Sequence, residues 1–183
     1  MKVATHNGRF HADDAVGIAV LKMALPEPFT IVRTRDPGVI DQADIVLDVG
    51  GVYHPARGRF DHHQKGGAGR REDGFSYAAA GLLWKEYGLQ VLRSLYPDRE
   101  EDLLAVWEIV DRKVIEPVDA VDNGEGERSN SPLSSVISGL NPSWPDDSAE
   151  AIDAAFATAV ELAKAYLTAQ IRKEMGLRQA MAL

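Results

Sequence analysis

The sequence contains no cysteine, and this absence removes two kinds of structure at once. Without thiols the chain has neither a disulfide framework nor a thiolate metal site. Any bound metal would therefore be held by imidazole and carboxylate groups. Those ligands suit manganese, magnesium, cobalt or iron, and zinc also accepts them.

Long apolar runs and a surplus of basic residues are missing as well. No hydrophobic stretch approaches the roughly 18 residues of a membrane span, and the N-terminus turns polar too early for a signal peptide. We therefore expect a cytoplasmic protein with no membrane partner. The formal net charge of −8 disfavours general coating of nucleic acid. The few aromatic residues show no cluster that predicts a stacking track for a long single strand.

The order of the apolar segments in the first 50 residues predicts an α/β fold. Residues 2–5 are typical of a short strand, a helix begins at Asp13 or Asp14, and further strands follow at 29–34 and 45–49. The last of these is a continuous apolar run, as expected of a buried parallel strand. Strand, helix and strand in this order favour a largely parallel sheet flanked by helices, with right-handed crossovers.

The second half of the chain reads as mainly helical. The predicted elements are a helix capped by Ser76 and stopped by Gly88, a core helix over 98–114 ended by Pro117, an aspartate-rich turn over 119–124, a short helix over 133–140, and a long alanine-rich helix from 147 or 148 to 174. The long helix is interpreted as a packing helix or as the surface of a homo-oligomer. Residues 1–145 are thus predicted to form a metal-binding catalytic domain, and residues 146–183 a C-terminal packing helix.

Histidines and carboxylates are crowded into a few short segments. All five histidines fall within the first 63 residues. The candidate metal ligands are His6, His11, Asp13, Asp14, Asp48, Asp61, His62, His63, Asp119 and Asp122. His6 and Asp48 end strands, and in open α/β sheets ligands bind beyond the carboxyl ends of the strands. The set is large enough for two ions that share a bridging carboxylate, and Asp48, on the most buried strand, is the natural bridge.

The adjacent pair His62 and His63 follows a short predicted strand. Successive side chains of an extended segment point to opposite faces, so the two rings are not expected to bind the same ion. One histidine would then ligate, and the other would serve substrate or a neighbouring group.

A cluster of cations surrounds this histidine pair, formed by Arg57, Arg59, Lys65, Arg70 and Arg71. The glycine-rich segment 65–74 is interpreted as a mobile loop that orders on an anionic ligand, with a solvated linker as the alternative. We expect Arg59, as a catalytic group, and Lys65, Arg70 and Arg71, as substrate ligands, to offset charge that develops on a phosphate.

These segments resemble the Asp-His-His (DHH) phosphoesterase superfamily and, more closely, the melanocyte proliferating gene family, whose members are also labelled metal-dependent protein hydrolases. The resemblance is carried by Thr5-His6-Asn7-Gly8 with Phe10-His11-Ala12-Asp13, by Asp48-Val49-Gly50-Gly51, by Phe60-Asp61-His62-His63-Gln64, by Asp119-Ala120-Val121-Asp122-Asn123-Gly124, and by Leu140-Asn141-Pro142 with Trp144. The segments touch nearly the whole chain, and the first and third are highly specific as a pair.

The resemblance implies a DHH-like α/β domain and a divalent metal centre, with two Mn²⁺ as the expected ions and Mg²⁺, Co²⁺ or Zn²⁺ as alternatives. It also implies hydrolysis of phosphodiester bonds by a 3′-to-5′ exoribonuclease or by an oligonucleotide or nucleotide hydrolase, so RNA or short oligonucleotides are the expected partners. The second, lid domain of longer relatives is expected to be absent. A metal-stabilised binding or regulatory module without turnover and a pyrophosphatase-like hydrolase remain open as alternatives.

The same resemblance implies roles for individual residues. One ion would be held by His6, Asp48 and one acid of the first-motif pair Asp13 and Asp14, and the second by the other acid together with Asp48, His62 and Asp122, with His11 as a further candidate ligand. His63 would face the scissile phosphate. Asp61 would orient a histidine through the free ring nitrogen, as carboxylates near metal sites commonly do.

Overall fold

A computed structural model describes residues 1–26, 28–125 and 130–181. Its sheet has five strands: β1 (Lys2–Thr5), β2 (Thr30–Arg33), β3 (Ile45–Leu47), β4 (Tyr53–His54) and β5 (Arg59–Phe60). Their spatial order is β2-β1-β3-β5-β4, and only the pairing of β4 with β5 is antiparallel. The predicted α/β class and largely parallel sheet are therefore confirmed. Strand β4 is too short to be recognised from its composition.

The helices among the described residues are α1 (Ala12–Ala24), α2 (Pro37–Asp41), a 3₁₀ turn (Pro55–Arg57), α3 (Ala79–Leu95), α4 (Glu100–Val110), α5 (Glu116–Asp122), α6 (Pro132–Gly139) and α7 (Ala149–Met181). Helix α1 is central, since 11 of its 13 residues are buried. It packs against the sheet, α3 and α7 in one hydrophobic core. This core fixes the first turn of α1 near the carboxyl ends of the strands.

Helix α3 differs from its prediction at both ends. It begins after Ala78, and Ser76 instead donates its hydroxyl to Glu125 Oε1 at 2.6 Å. It also runs through Gly88 to Leu95. Gly88 lies against the indole ring of Trp84, on α3 itself, and against that of Trp107 on α4. The glycine therefore allows close packing here and does not end the helix.

Helices α4 and α5 form one continuous rod, although Pro117 was expected to end the first of them. They are joined by a π-helical segment, Asp111–Ile115. In a regular α-helix the ring of Pro117 would collide with the carbonyl of Lys113, and the wider π turn accommodates it. The predicted turn over 119–124 is also corrected, since Asp119 and Asp122 lie on α5.

The C-terminal helix α7 is longer than predicted and reaches Met181. It buries Phe156, Val160, Leu167 and Ile171 in the same hydrophobic core as α1. The division of the chain at residue 145 stays a prediction, and residues 182–183 of the predicted helical segment lie outside the described residues. Within the described ranges, no helix is both long and apolar enough to cross a membrane.

The packing at Gly88 predicts the effect of a single added methyl group. A Cβ atom at this position would lie 2.6 Å from Trp107 Nε1 and 2.8 Å from Trp84 Cδ2. Gly88→Ala should therefore lower the free energy of unfolding in urea by about 1–3 kcal/mol, the usual cost of overpacking. Gly176→Ala is the matched control, since a Cβ there meets no described atom within 4 Å and should stabilise α7 by about 0.5–1 kcal/mol. Equal stabilisation of both variants would contradict the close approach of α3 and α4.

Candidate metal centre

The candidate ligands are brought together by the carboxyl ends of three neighbouring parallel strands. His6 follows β1, Asp48 follows β3, and Asp61 with His62 follows β5. The first turn of α1 adds Asp13 and Asp14, and the end of α5 adds Asp122. Six of these seven side chains belong to buried residues, the exception being the half-buried Asp122.

Asp48 lies at the middle of the cluster. Its Oδ2 atom is 3.2 Å from His6 Nε2, and its Oδ1 atom is 3.3 Å from His62 Nε2. The residue has a φ of +54°, in the left-handed region that residues other than glycine rarely adopt and that is often found at ligand sites. This turn of the backbone at the end of β3 aims one carboxylate at both histidines.

Two half-sites can be distinguished on either side of Asp48. On the first side, His6 Nε2 is 3.1 Å from Asp14 Oδ2. On the second side, His62 Nε2 is 3.2 Å from Asp122 Oδ2 and 3.9 Å from Asp13 Oδ2. Each half-site thus pairs one imidazole with Asp48 and with an acid from the first turn of α1, and the second half-site adds Asp122.

The ring of His6 is held at Nδ1, on the side away from the acids, by one backbone group and one side chain. Its Nδ1 atom lies 3.1 Å from the Asn7 carbonyl and 3.2 Å from Arg35 Nη2. The Asn7 carbonyl can only accept and the Arg35 guanidinium can only donate, so Nδ1 has a partner in either tautomer, and Nε2 is the ring atom that faces the acids. Arg35 was not identified from the sequence, because its position after β2 gives no sign that it lies against a histidine of β1.

His63 and Asp61 form a second pair at the mouth of the cluster. Asp61 Oδ1 accepts from His63 Nδ1 at 2.7 Å and from the His63 amide at 3.1 Å, while Gly51 N donates to Asp61 Oδ2. The imidazole of His63 stays 61% exposed. Asp61 therefore orients His63, and its functional role stays a prediction.

The expectation that His62 and His63 face apart is corrected. Their ring centroids are 4.3 Å apart, and both rings approach Asp48 Oδ1, with His63 Nδ1 at 3.6 Å. The reason is that β5 ends at Phe60, so the strict alternation of a strand does not extend to these residues.

Electrostatics within the cluster are dominated by burial and by like charges. Burial raises the pKa of Asp13 well above its usual value, and the charges of Asp48 and Asp122 add to this effect. Burial also raises the pKa of Asp14, against the opposing effect of His6. Burial would also raise the pKa of Asp48, but the hydrogen bonds and charges of His6 and His62 outweigh burial and lower this pKa to about 2.

The two buried histidines carry the complementary shifts. Burial alone would lower the pKa of His6, but Asp14 and Asp48 raise it to about 10. Burial is likewise outweighed at His62, where Asp122 and Asp48 raise the pKa to about 10. Both shifts show that the cluster as a whole attracts positive charge.

Several donor atoms of the cluster fit a cation. His6 Nε2, Asp13 Oδ1 and Asp14 Oδ2 are buried and have no hydrogen-bond partner of acceptable geometry among the described residues. Three overlapping groups bring one potential ligand atom from each member within 4.8 Å of the others, namely Asp48 with Asp61, His62 and His63; His6 with His11 and Asp48; and His11 with Asp13 and Asp122. Imidazole and carboxylate donors suit the divalent metals expected from the sequence.

His11 lies at the rim of the cluster. Its Nδ1 atom is 3.6 Å from Asp122 Oδ1, and its side chain is 63% exposed. Its backbone amide donates to Asp14 Oδ1 at 3.1 Å, which helps to hold the first turn of α1. The ring of His11 is 5.7 Å from that of His6, so it is near enough to join either half-site.

The expected substrate cations are placed less uniformly. Lys65 and Arg70 are exposed, and Arg70 lies 3.3 Å from Glu125 Oε1. Arg59 directs its guanidinium to the carbonyls of Asp44, Arg57 and Gly58. The interpretation of Arg59 as a catalytic group is therefore not supported by a contact with the cluster.

Arg71 is buried and ion-paired, which corrects its interpretation as a substrate ligand. Its guanidinium donates to both carboxylate oxygens of Asp111 at 2.8 and 2.9 Å and to Asp119 Oδ2 at 2.8 Å, and it stacks on Tyr77. Asp119 also accepts from Gly81 N at 2.9 Å. Asp119 thus anchors α5 to α3 and is not aimed at the candidate metal centre.

A parallel sheet with imidazole and carboxylate groups gathered at the carboxyl ends of its strands defines an α/β protein with a candidate centre for divalent metal. Comparison with known proteins identifies the family. Residues 2–182 match the model of the family described as "Uncharacterised protein family (UPF0160)", labelled MYG1_exonuc, and the chain belongs to this family. The predicted membership of the melanocyte proliferating gene family is thereby confirmed.

Named relatives show how similar this chain is to other proteins of the family and how much of their length it covers. It is 38% identical over 171 residues to the MYG1 exonuclease of Homo sapiens and 39% identical over 171 residues to that of Rattus norvegicus, covering 82% of this chain and 45% of each relative. The MYG1 protein of Dictyostelium discoideum is 32% identical over 181 residues, which cover 91% of this chain and 54% of that protein. The chain spans about half the length of the curated relatives it matches. No solved structure matches it significantly.

The first prediction from this geometry concerns the response of stability to a divalent cation, with Mn²⁺ as the probe. A cation that binds only the folded cluster should raise the free energy of unfolding, by about 2.7 kcal/mol at 100 times its dissociation constant. Asp48→Asn keeps the side-chain shape but removes the charge between His6 and His62, so most of this increment should disappear. The measurement is urea unfolding of each protein with and without Mn²⁺. Asp146→Asn, an exposed site outside the cluster, should keep the full increment; an equal increment in both variants would show that the ion binds elsewhere.

A second prediction compares two adjacent arginines. Arg71→Ala leaves the buried carboxylates of Asp111 and Asp119 without their cation and should cost about 3–5 kcal/mol of unfolding free energy. Arg70→Ala removes an exposed side chain and should cost at most about 1 kcal/mol. Both values follow from urea denaturation at neutral pH. Similar losses for the two variants would contradict the structural role of Arg71.

Proposed function

We propose that this chain is a divalent-metal-dependent phosphoesterase of the DHH kind, which hydrolyses phosphodiester bonds of RNA or short oligonucleotides from the 3′ end. The observation that carries the proposal is the position of Asp48, whose two carboxylate oxygens each approach a different histidine. A shared carboxylate is the usual bridge between two catalytic cations. The mammalian relatives named MYG1 exonuclease give independent support for a nuclease activity.

The residues that would hold the ions follow from the two half-sites. His6, Asp14 and Asp48 would hold one ion, and Asp48, His62, Asp13 and Asp122 the other, with His11 at the rim. Manganese is the metal we propose, following the family resemblance, and the imidazole and carboxylate donors are compatible with it. When bound, such ions acidify water and neutralise charge on a phosphate.

His63 is the proposed proton donor of the reaction. Asp61 Oδ1 accepts the hydrogen bond from His63 Nδ1–H, so the doubly protonated ring would present its Nε2–H to a phosphodiester. Water would add to phosphorus and lose a proton to solvent, the bond from phosphorus to the departing 3′ oxygen would break, and the His63 imidazolium would give its Nε2 proton to that oxygen. Neutral His63 would then regain a proton from solvent. The carboxylate of Asp61 keeps the ring oriented throughout.

Exposed cations would bind the rest of the substrate. Lys65 and Arg70 are exposed and lie on the segment that follows the histidine pair. Arg35 is exposed as well and lies against His6. In a chain with a net charge of −8, such local positive charge is what would attract an RNA phosphate.

The test is release of nucleotides from a short RNA in the presence of Mn²⁺. Wild type should release them in a metal-dependent manner, and Asp48→Asn should lower the rate by at least about 100-fold, since it weakens both half-sites. The RNA is labelled at either end to report the direction of cleavage. Pyrophosphate is offered in parallel assays.

The outcomes separate the three functional hypotheses. Mn²⁺-dependent nucleotide release that Asp48→Asn abolishes supports the phosphoesterase. Hydrolysis of pyrophosphate alone would replace it with a phosphoanhydride hydrolase. If wild type binds and is stabilised by Mn²⁺ but turns over neither substrate, the chain is a metal-stabilised binding module.

A further inference from the structure

We propose that Asn123 is a positioning residue that fixes the tautomer of His62 and thereby its Nε2 atom as a metal ligand. The inference rests on the proposed metal centre and extends it to a residue outside the ligand set. The two nitrogens of the His62 ring have different surroundings. Nε2 faces Asp48 and Asp122, whereas Nδ1 lies 3.2 Å from Asn123 Oδ1.

The orientation of the Asn123 amide is determined by its other contacts. Its Nδ2 atom donates to the Asp119 carbonyl at 3.0 Å and to the Ser76 carbonyl at 3.3 Å. Carbonyl oxygens only accept hydrogen bonds, so the amide nitrogen must lie on this side. The amide oxygen is consequently the atom that faces His62, and it too can only accept.

An acceptor opposite Nδ1 determines which nitrogen of neutral His62 carries the proton. Nδ1 must donate to Asn123, and the lone pair of Nε2 then points toward the carboxylates of Asp48 and Asp122. Such a lone pair is favourable only if a cation lies between the ring and the acids. The pair His62 and Asn123 therefore prepares the second half-site for a cation.

The backbone holds Asn123 itself in place. It follows Asp122 at the end of α5, and its amide N–H donates to the Asp119 carbonyl at 2.9 Å. Ser76 is fixed in turn, since both its amide and its hydroxyl donate to the Glu125 carboxylate. The acceptor opposite His62 thus belongs to a network of backbone and side-chain groups outside the ligand set.

Two variants of similar shape separate the positioning role from a structural one. Asn123→Asp keeps an acceptor opposite His62 Nδ1, while Asn123→Leu removes it, and both lose the amide donors to Asp119 and Ser76. We expect Asn123→Leu to weaken Mn²⁺ binding by about 10–100-fold, the usual effect of removing such a partner. Asn123→Asp should bind Mn²⁺ at least as tightly as wild type. If Asn123 only tied α5 to Ser76, both variants would weaken binding equally, and that result would overturn the inference.

A control is needed because Asn123→Asp also adds a negative charge near the site. Val121→Asp adds the same charge at an exposed position on α5. Titration of all four proteins with Mn²⁺ should show that Val121→Asp leaves the affinity within about 2-fold of wild type, as expected for screened surface charge. If Val121→Asp tightens Mn²⁺ binding as much as Asn123→Asp does, the added negative charge alone explains the affinity of Asn123→Asp, and the inference fails.

Nitrogen-15 NMR of the Zn²⁺-loaded proteins provides a readout that does not depend on turnover. The Nδ1 proton of His62 should be visible and slow to exchange in wild type and in Asn123→Asp, and lost to exchange in Asn123→Leu. Protection of this proton in Asn123→Leu would overturn the inference while leaving the metal centre intact. Failure of wild type to bind either Mn²⁺ or Zn²⁺ would instead overturn the proposed function, and this inference with it.

Discussion

The structure depends above all on the grouping of buried carboxylates around two imidazoles. Asp13, Asp14 and Asp48 are almost fully buried around the His6 and His62 rings, where water cannot screen their charges. Burial of like charges is costly unless positive charge lies among them. His6 and His62 lie beside these carboxylates and can supply it, and the same geometry suits divalent cations. The rest of the fold provides rigid elements that hold this grouping together.

Rigid support comes mainly from helices that touch one another closely. Helix α1 is buried on almost all sides, so the two acids of its first turn have little freedom. Helix α3 approaches α5 at Gly81, where a Cβ atom would overlap the Asp119 carboxylate. Arg71 then links this point to Asp111. Anchors of this kind fix the positions of α1 and α5 without using the ligand atoms themselves.

Much of the candidate site could be predicted from the sequence, because its residues follow strands. The ends of apolar segments locate His6 and Asp48, the Asp61-His62-His63 motif locates His62, and parallel strands bring such ends to one edge of a sheet. The prediction fails where a role depends on contacts between distant segments. Arg71 lies in a glycine-rich, basic segment of the kind that often binds phosphate, and only the fold shows that its guanidinium pairs with Asp111.

The same limit explains the errors in secondary structure. Glycine and proline often mark the ends of helices, but neither Gly88 nor Pro117 does so here. The indole rings of Trp84 and Trp107 leave no room for a side chain at position 88, and a π turn precedes Pro117. Neither circumstance is visible in a local window of sequence. Asn123 was likewise part of a recognised motif, although nothing in its neighbours indicated that its amide would face a histidine 61 positions earlier.

The π-helical segment also determines the orientation of everything that follows it on the same rod. A π turn holds one more residue than an α-helical turn, and each residue of a helix rotates the following side chains by about 100°. Loss of a single residue between Asp111 and Ile115 would restore regular helical geometry while turning Asp119, Asp122 and Asn123 away from their partners. The π turn therefore sets the rotation of the α5 side chains about the helix axis. A chain one residue shorter here would still form a helix, but its site residues would point away from the cluster.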